Sequence, residues 1–253
     1  MQNKNLTQTA KAKEIIKFRK ATTTDLGEIK EALNNYTGRM CDVSAENLIF
    51  WNDYYQTYVH NGSRGFVIKF LTMDNTSCHV FPFDAKNKEL IILLAKQAGG
   101  KICISCLTPG EAAYIGENFT VEGTHYSRDW DDYIYRAEDI INLTGKRYNG
   151  QRNHINKFQK LYPDYVYEKI TNGNAADIKN FLIEFYGKRP PKTEMTSFET
   201  ARLIKMFDDY ESNGQLGDCL KVRGKVVGFS FGEVVCDTLI VHSEKTNTEY
   251  AGA

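Results

Sequence analysis

The sequence has no excess of charge of either sign. Lysine and arginine together number 32, and aspartate and glutamate together also number 32. This balance excludes a general basic field for nucleic acid and an acidic tail, but it still allows a local basic patch. With 42% hydrophobic and 25% charged residues, the composition is typical of a globular protein. A chain of 253 residues suits one large or two ordinary domains.

Long apolar runs are also missing. The longest, at residues 90–95, falls far short of the about 20 residues that a transmembrane helix needs. The N-terminus is polar and lacks the apolar core of a signal peptide, and we expect residues 1–13 to be frayed. The sequence therefore predicts a cytoplasmic protein with no transmembrane segment.

Cysteine is sparse, with six residues, and without an export signal we expect reduced thiols. Cys103 and Cys106 have the spacing of a redox or metal-binding pair. However, the surrounding residues 101–107 read as a strand, and no second pair completes a zinc site. We interpret both cysteines as core residues and predict no metal site.

The sequence does contain a repeat at an offset of 149 positions. Residues 18–22 realign with 167–171, residues 28–33 realign with 177–182, and Tyr36 falls on Phe185. Each copy reads as a short strand, a threonine/asparagine turn and a helix. A repeat of this kind predicts that one structural unit occurs twice.

Periodicity and turn residues give an order of elements for each copy. Residues 1–143 predict β, α, α, β, β, α, β, α, β, β, ending in strands at residues 118–126 and 131–136. Residues 144–164 predict a basic linker helix, and residues 165–253 predict β, α, α, β, β, β. Capping boxes are assigned to Asp25 with Glu28 and to Thr196 with Glu199.

The order of the first copy, one meander strand short, resembles the fold of the GNAT-type N-acetyltransferases. The second copy matches the first six elements of that fold. The resemblance implies an α+β fold of two tandem GNAT-like (acyl-CoA N-acyltransferase) domains, with mixed, mostly antiparallel sheets flanked by helices. In that family a glycine-rich turn after the meander binds the donor's pyrophosphate. Residues 84–88 lack such glycines, so the first copy resembles a degenerate unit without an ordinary coenzyme A site.

Three blocks carry a closer resemblance. They are Tyr133-Ile-Tyr-Arg136 with Leu143-x-Gly-Lys-Arg147, Arg152-Asn-His-Ile-Asn-Lys-Phe158 with Tyr162-Pro163, and Lys225-Val-Val-Gly-Phe-Ser-Phe-Gly-Glu233 with His242-Ser-Glu-Lys245. Together they resemble uncharacterised bacterial proteins related to the C-terminal domain of phosphatidylglycerol lysyltransferase, across nearly the whole chain. The resemblance implies a Fem-type aminoacyltransferase-like protein, which moves an amino acid from aminoacyl-tRNA to an amine or hydroxyl without a metal. The lysyltransferase's transmembrane portion is absent, which favours a soluble acceptor over a lipid.

The linker segment is rich in basic residues and contains no acidic residue over residues 143–162. A donor that carries phosphates needs cations of this kind. The candidate donor- and phosphate-binding residues are Lys146, Arg147, Arg152, Asn153, His154 and Lys157. The alternative interpretation is a solvated linker helix with ordinary lysines.

Aminoacyl transfer is attack on an ester carbonyl, and it needs a base or an acceptor near its deprotonated form. The candidate catalytic residues, at the strand ends of the second meander, are Glu233, His242, Glu244 and Lys245. Either glutamate would recognise an amino group or act as the base, and His242 is the alternative base. The competing interpretation is solvated strand ends. We interpret the isolated His60, His79 and His125 as structural or surface residues.

The sequence thus predicts a soluble aminoacyl- or acyltransferase-like protein. Two alternatives stay open: a non-catalytic binding protein that retains the fold, and a coenzyme A-dependent N-acetyltransferase. The expected donor is aminoacyl-tRNA or acyl-coenzyme A, with no tightly bound cofactor. The expected partners are tRNA and a small-molecule or peptide amine, and not DNA. The second domain is expected to be truncated at residue 253, where the fold's donor-binding turn would begin, and to leave an apolar face exposed.

Overall fold

The computed structural model describes residues 15–34, 36, 38–72, 75–81 and 87–253. Over these residues the chain is a mixed α+β protein with two β-sheets flanked by helices. The expected frayed segment at residues 1–13 and most of the expected donor turn at residues 84–88 lie outside the described residues.

The first sheet, sheet A, has the strand order β1-β2-β3-β4-β5. Its strands are β1 Arg19–Lys20, β2 Tyr58–Gly62, β3 Gly65–Leu71, β4 Ser77–Val80 and β5 Cys103–Ile104. The first four strands pair antiparallel, and β5 pairs parallel with β4. A parallel neighbour needs a crossover, which the chain makes through a helix.

The second sheet, sheet B, has the strand order β6-β7-β8-β9 and is antiparallel throughout. Its strands are β6 Val166–Lys169, β7 Leu216–Val222, β8 Lys225–Val235 and β9 Thr238–Thr246. Sheet B therefore repeats the order and direction of the first four strands of sheet A.

The α-helices of the described residues all lie between β1 and β9 in the sequence. They are α1 Leu26–Leu33, α2 Ala45–Phe50, α3 Asn52–Tyr55, α4 Lys88–Gln97, α5 Pro109–Asn118, α6 Ala137–Asn142, α7 Asn149–Leu161, α8 Ala175–Lys188 and α9 Glu194–Met206. Helices α1 to α3 connect β1 to β2, and helices α8 and α9 connect β6 to β7. This shared connection is the second feature that the two sheets have in common.

The turn that opens each copy uses the same hydrogen bond. The backbone N–H of Thr22 donates to the Asp25 carboxylate at 2.7 Å, and the backbone N–H of Thr171 donates to the Asn174 side-chain oxygen at 2.9 Å. Both pairs lie 149 positions apart in the sequence. The reciprocal bond of a capping box is therefore made by Asp25 and not by the predicted Glu28.

The repeat also places equivalent side chains in equivalent cores. Ile29 in α1 and Ile178 in α8 are both 0% exposed. Ile29 packs in a cluster between sheet A and helices α1 and α2, and Ile178 packs in a cluster between sheet B and helices α8 and α9. One face of each sheet is thus closed by the helices that precede its second strand.

The opposite faces differ. In sheet A, Val67 of β3 packs with Leu90, Ile91 and Leu94 of α4, so that β3 is buried on both faces. In sheet B, Phe158 of α7 covers only the end of the opposite face near the β7–β8 turn. The far end of that face carries exposed apolar side chains: Leu216, Val234, Leu239 and Val241.

Several predicted elements are wrong. The strand pair at residues 118–126 and 131–136 does not form: α5 runs to Asn118, and residues 131–136 have no regular secondary structure. Sheet A is not one meander strand short, because β2 supplies the missing strand. The cap of α9 is Thr193, with Thr196 closing the box, so that Glu199 lies inside the helix.

Candidate functional site

A β-bulge in β9 positions His242. The pairing of β8 with β9 shifts between Phe231 and Gly232, and His242 is the extra residue on β9 that has no partner in the register. A bulge of this kind redirects a side chain out of the regular alternation. Gly232 permits the close approach of the two strands, because a Cβ atom at this position would overlap the carbonyl oxygen of Ile240.

The bulge brings His242 against Glu233 of β8. The Nε2 atom of His242 lies 3.1 Å from Oε1 of Glu233, and the two side chains are only 7% and 3% exposed. A buried imidazole held by a buried carboxylate is an arrangement that orients a histidine for proton transfer. The structure thus brings together two of the four candidate catalytic residues.

The same carboxylate joins the two halves of the molecule. Oε1 of Glu233 accepts the backbone N–H of Glu46 at 2.8 Å, in the first turn of α2. Burial alone would raise the pKa of Glu233, but the hydrogen bond and charge of His242 and the Glu46 N–H outweigh burial and lower that pKa. Glu233 therefore stays ionised at neutral pH, where it satisfies a helix N-terminus.

A small cavity lies beside this pair, between the two halves. It has a volume of about 40 Å³, which holds only a few water-sized groups. Its lining residues are Glu46, Asn47, Phe50, Trp51, Glu199, Leu203, Gln215 and His242. Trp51 stacks on Phe198 with ring centroids 5.5 Å apart, which closes one side of the cavity with aromatic surface.

Two ion pairs flank the cavity. Lys30 reaches Glu46 at 2.5 Å, and Lys245 of β9 reaches Glu199 of α9 at 3.3 Å. Burial raises the pKa of Glu46, and Lys30 offsets part of this effect. Lys245, a third candidate catalytic residue, therefore lies on the cavity side of β9 with its charge already partnered.

Glu244, the fourth candidate, is not part of this arrangement. It is exposed on β9 and pairs with Ser230 across the strands, whereas the neighbouring Ser243 is buried. Alternation along a strand sends successive side chains to opposite faces. Glu244 thus points away from the face that holds Glu233 and His242.

The basic linker is a helix, but its arginines are engaged locally. Arg152 donates to the carbonyl oxygens of Leu143 and Gly145 and to the side chain of Asn149, at the start of α7. Arg147 pairs with Asp139 at 2.6 Å. The remaining candidate donor-binding residues of this segment are exposed: Lys146, Asn153, His154 and Lys157.

The structure does not bring the two sets of candidate residues together. Helix α7 packs through Phe158 on Val227, near the start of β8, whereas Glu233 is near the end of that strand. Six positions of a β-strand span about 20 Å. Any ligand that contacts both sets must therefore extend along β8.

The isolated histidines and cysteines have ordinary surroundings. His79 is buried, and burial lowers its pKa, which favours the neutral ring. The six cysteines are free thiols, and the expectation that Cys103 is a core residue is wrong, because it is exposed. Its sulfur lies 2.9 Å from that of Cys78 on the paired strand.

Sequence reasoning missed Glu46, Glu199 and Gln215 as site residues. Glu46 is an ordinary polar position of an amphipathic stretch, and the sequence predicts Glu199 to be part of a helix cap. No spacing in the sequence relates these residues to His242, because they come from α2, α9 and the segment before β7. Only the contact between the halves brings them together.

Among the described residues, no group of three or more histidine, cysteine, aspartate or glutamate side chains is arranged to hold a metal ion. None of the helices in the described part of the chain is long and apolar enough to cross a membrane.

Comparison with known proteins gives one family and one similar structure. The family model described as "Phosphatidylglycerol lysyltransferase, C-terminal" matches residues 34–253. The chain is similar to a solved structure of a conserved protein of unknown function from Bacteroides thetaiotaomicron, at 28% sequence identity and a TM-score of 0.84. That match covers 94% of this chain and 83% of the other. No curated protein matches the chain.

Proposed function

Because the chain belongs to the family of phosphatidylglycerol lysyltransferase C-terminal domains, we propose that it is an aminoacyltransferase. In this proposal an amino acid passes from aminoacyl-tRNA to an amine or hydroxyl acceptor, and the two similar halves are tandem GNAT-like domains. The observation that carries the proposal is the buried His242–Glu233 pair beside a cavity between the halves.

The pair supports a base-catalysed transfer. The neutral ring of His242 accepts a proton from the acceptor, whose lone pair attacks the ester carbonyl of the aminoacyl group. The carbon–oxygen bond to the tRNA ribose breaks, and the imidazolium returns its proton to the leaving oxygen. Glu233 remains ionised throughout and stabilises the imidazolium, since its pKa is held below the ordinary value.

The exposed lysines of the linker support a phosphate-bearing donor. Lys146 and Lys157 are exposed on a segment free of acidic residues. Helix α7 of this segment packs on Val227, about 20 Å from Glu233 along β8. A donor held there must extend along the strand to present its ester at His242, as a single-stranded tRNA end would. A soluble acceptor enters at the cavity.

A transfer assay tests the proposal. The full chain is mixed with labelled aminoacyl-tRNA, lysyl-tRNA first, and with glycinamide or glycerol as the acceptor. We expect His242→Gln to reduce the transfer rate by about 10²- to 10⁴-fold, the usual contribution of a general base. Glu211→Gln, at an exposed turn glutamate, is the matched control and should transfer at the wild-type rate. Equal rates for wild type and His242→Gln would overturn the proposal.

A non-catalytic binding protein is the second candidate. It is favoured by the engagement of Arg147 and Arg152 in local contacts, which leaves fewer free cations for a donor. Binding of tRNA or amines with no transfer from any aminoacyl-tRNA would support this candidate. Stabilisation by acetyl-coenzyme A alone in a thermal shift would instead indicate an N-acetyltransferase.

A further inference from the structure

Two buried acceptor atoms, on residues that line the cavity, have no hydrogen-bond donor within the described residues. They are Oε1 of Gln215 and Nδ1 of His242. The proton of the His242 ring lies on Nε2 when that atom donates to Glu233, and Nδ1 then presents a lone pair. Gln215 and His242 both line the cavity, and Glu233 contacts His242.

A primary ammonium group matches this arrangement. It offers three N–H donors and a positive charge, whereas a hydroxyl offers one donor and would leave one of the two acceptors unpaired. Leaving a buried acceptor unpaired is costly, and hydrogen bonds to charged groups are stronger than neutral ones. The number and kind of the free atoms thus favour an amine over an alcohol.

The charge around the cavity favours a cation. Three carboxylates are present, on Glu46, Glu199 and Glu233, and two of them are partnered by Lys30 and Lys245. The third carboxylate, on Glu233, has only the His242 ring beside it, and the neutral ring that a general base requires leaves this negative charge uncompensated. A ligand that carries a free carboxylate next to its amine would be repelled, because like charges disfavour binding in a desolvated site.

The remaining walls fit a short alkyl stem. Phe50, Trp51 and Leu203 give the cavity apolar surface, and a volume of about 40 Å³ admits an ammonium head but not a bulky side chain. The polar atoms and the apolar walls therefore suit the two ends of a small alkylamine.

We propose that the cavity binds the acceptor as a primary amine whose ammonium group contacts Gln215 and His242, with the Glu233 carboxylate on the far side of the His242 ring as its counter-charge, and that it discriminates against amines with an adjacent carboxylate. This inference rests on the proposed function, and it selects the amine from the two acceptor classes. One ammonium proton is released to solvent, and the neutral amine that results attacks the ester carbonyl and gives a second proton to Nδ1 of His242, which passes it to the leaving ribose oxygen.

The test is a titration of the full chain with four small probes at pH 7, followed by calorimetry or by NMR shifts. Glycinamide and n-propylamine carry the amine without a carboxylate, glycine adds the carboxylate, and 1-propanol replaces the amine with a hydroxyl. We expect glycinamide to bind at least tenfold more tightly than glycine, and n-propylamine at least tenfold more tightly than 1-propanol. Equal affinities within either pair would overturn the inference.

Two variants change the negative charge of the site in opposite directions. Glu233→Gln keeps the shape but removes the charge, and we expect it to weaken glycinamide binding at least tenfold. Gln215→Glu adds a carboxylate at the same atom and should strengthen the binding several-fold, which keeps the inference testable if the first variant does not fold. Glu211→Gln is the matched control and should bind like the wild type. An unchanged affinity in Gln215→Glu would count against the site.

Failure of this inference differs from failure of the proposed function. Transfer to glycerol without measurable amine binding leaves the transferase intact and overturns the amine site. Amine binding that responds to both variants, without transfer from any aminoacyl-tRNA, leaves the amine site intact and overturns the transferase. If neither the amines nor the alcohol bind, the cavity holds water only and the inference is wrong.

Discussion

Sheet A and sheet B share the arrangement of their first four strands but differ in what covers their second faces. Both open with the same turn, place an isoleucine at the same core position and run four antiparallel strands in the same order. Sheet A then continues into α4 and β5, which bury Val67 on its second face. On the corresponding face of sheet B, Val234 is 56% exposed.

Because of this difference, the candidate site does not depend on the elements that cover the second face of a sheet. Glu233 and His242 lie on the face of sheet B that helices α8 and α9 close, and α2 approaches from the first half. The site is thus built from one covered face and the contact between the halves. The second face of sheet B contributes none of the residues that line the cavity.

The largest expected effect tests whether the two cores are equivalent. Ile29→Ala and Ile178→Ala each remove a side chain that is 0% exposed, and each should lower the free energy of unfolding by about 2–5 kcal/mol. Urea unfolding followed by circular dichroism measures both. A loss below about 1 kcal/mol for Ile178→Ala alone would show that the second core is not packed as the first is.

The next effect tests the difference between the second faces. Val67→Thr places a hydroxyl in a buried cluster and should cost about 1–3 kcal/mol, whereas Val234→Thr, at an exposed site, should change stability by less than about 0.5 kcal/mol. The same urea measurement compares the two. A large cost for Val234→Thr would mean that the second face of sheet B is covered in solution.

The smallest effect tests whether the two opening turns contribute equally to the free energy of unfolding. Asp25→Ala and Asn174→Ala remove equivalent turn acceptors, and each should cost about 0.5–2 kcal/mol at pH 7. The two costs should be similar, because Asp25 also pairs with Arg19 at 2.6 Å and Asn174 also donates to Glu168 and to the carbonyl oxygen of Lys169.

The two turns should also differ in their pH dependence. Burial alone would raise the pKa of Asp25, but hydrogen bonds from the Thr22 N–H and from Arg19 outweigh it and lower that pKa. The contribution of Asp25 to the free energy of unfolding is therefore complete above the ordinary aspartate pKa of about 3.8. It is lost as the pH falls through the lower pKa of the folded state. Asn174 does not titrate, and its bond to the Thr171 N–H should be constant across this range. Only its bond to the Glu168 carboxylate, at 3.0 Å, should weaken as Glu168 is protonated. Parallel pH profiles for the two variants would contradict this account.

Much of the fold follows from short-range signals in the sequence. Gly99 and Gly100 end α4 with positive φ angles, Thr108 with Glu111 caps α5, and Gly224 turns β7 into β8 as expected. These are local features, in which a residue type meets a backbone requirement within a few positions. The expectation of an exposed apolar face on the second sheet is confirmed for the described residues by Val234 and Leu239.

The errors lie where tertiary contacts decide. Residues 131–136 alternate like a strand, but strand formation depends on pairing with a neighbour, and none of the described strands pairs with them. Within the candidate site, the sequence indicates Glu233 and His242 because they lie near strand ends. The bulge that turns His242 towards Glu233, and the arrival of Glu46 from another half of the chain, depend on contacts 187 positions apart that no local pattern encodes.

The Glu233 carboxylate gives the protein a built-in thermodynamic link. One oxygen holds both the amide of Glu46 and the ring of His242, and Glu46 and His242 both line the cavity. A ligand in the cavity that restrains the Glu233 side chain therefore also stabilises the contact between the halves. That contact strengthens ligand binding by the same free energy, because coupling free energies are reciprocal. Hydrogen exchange at the Glu46 amide should therefore slow when the cavity is filled, so that a backbone proton in one half reports on occupancy in the other.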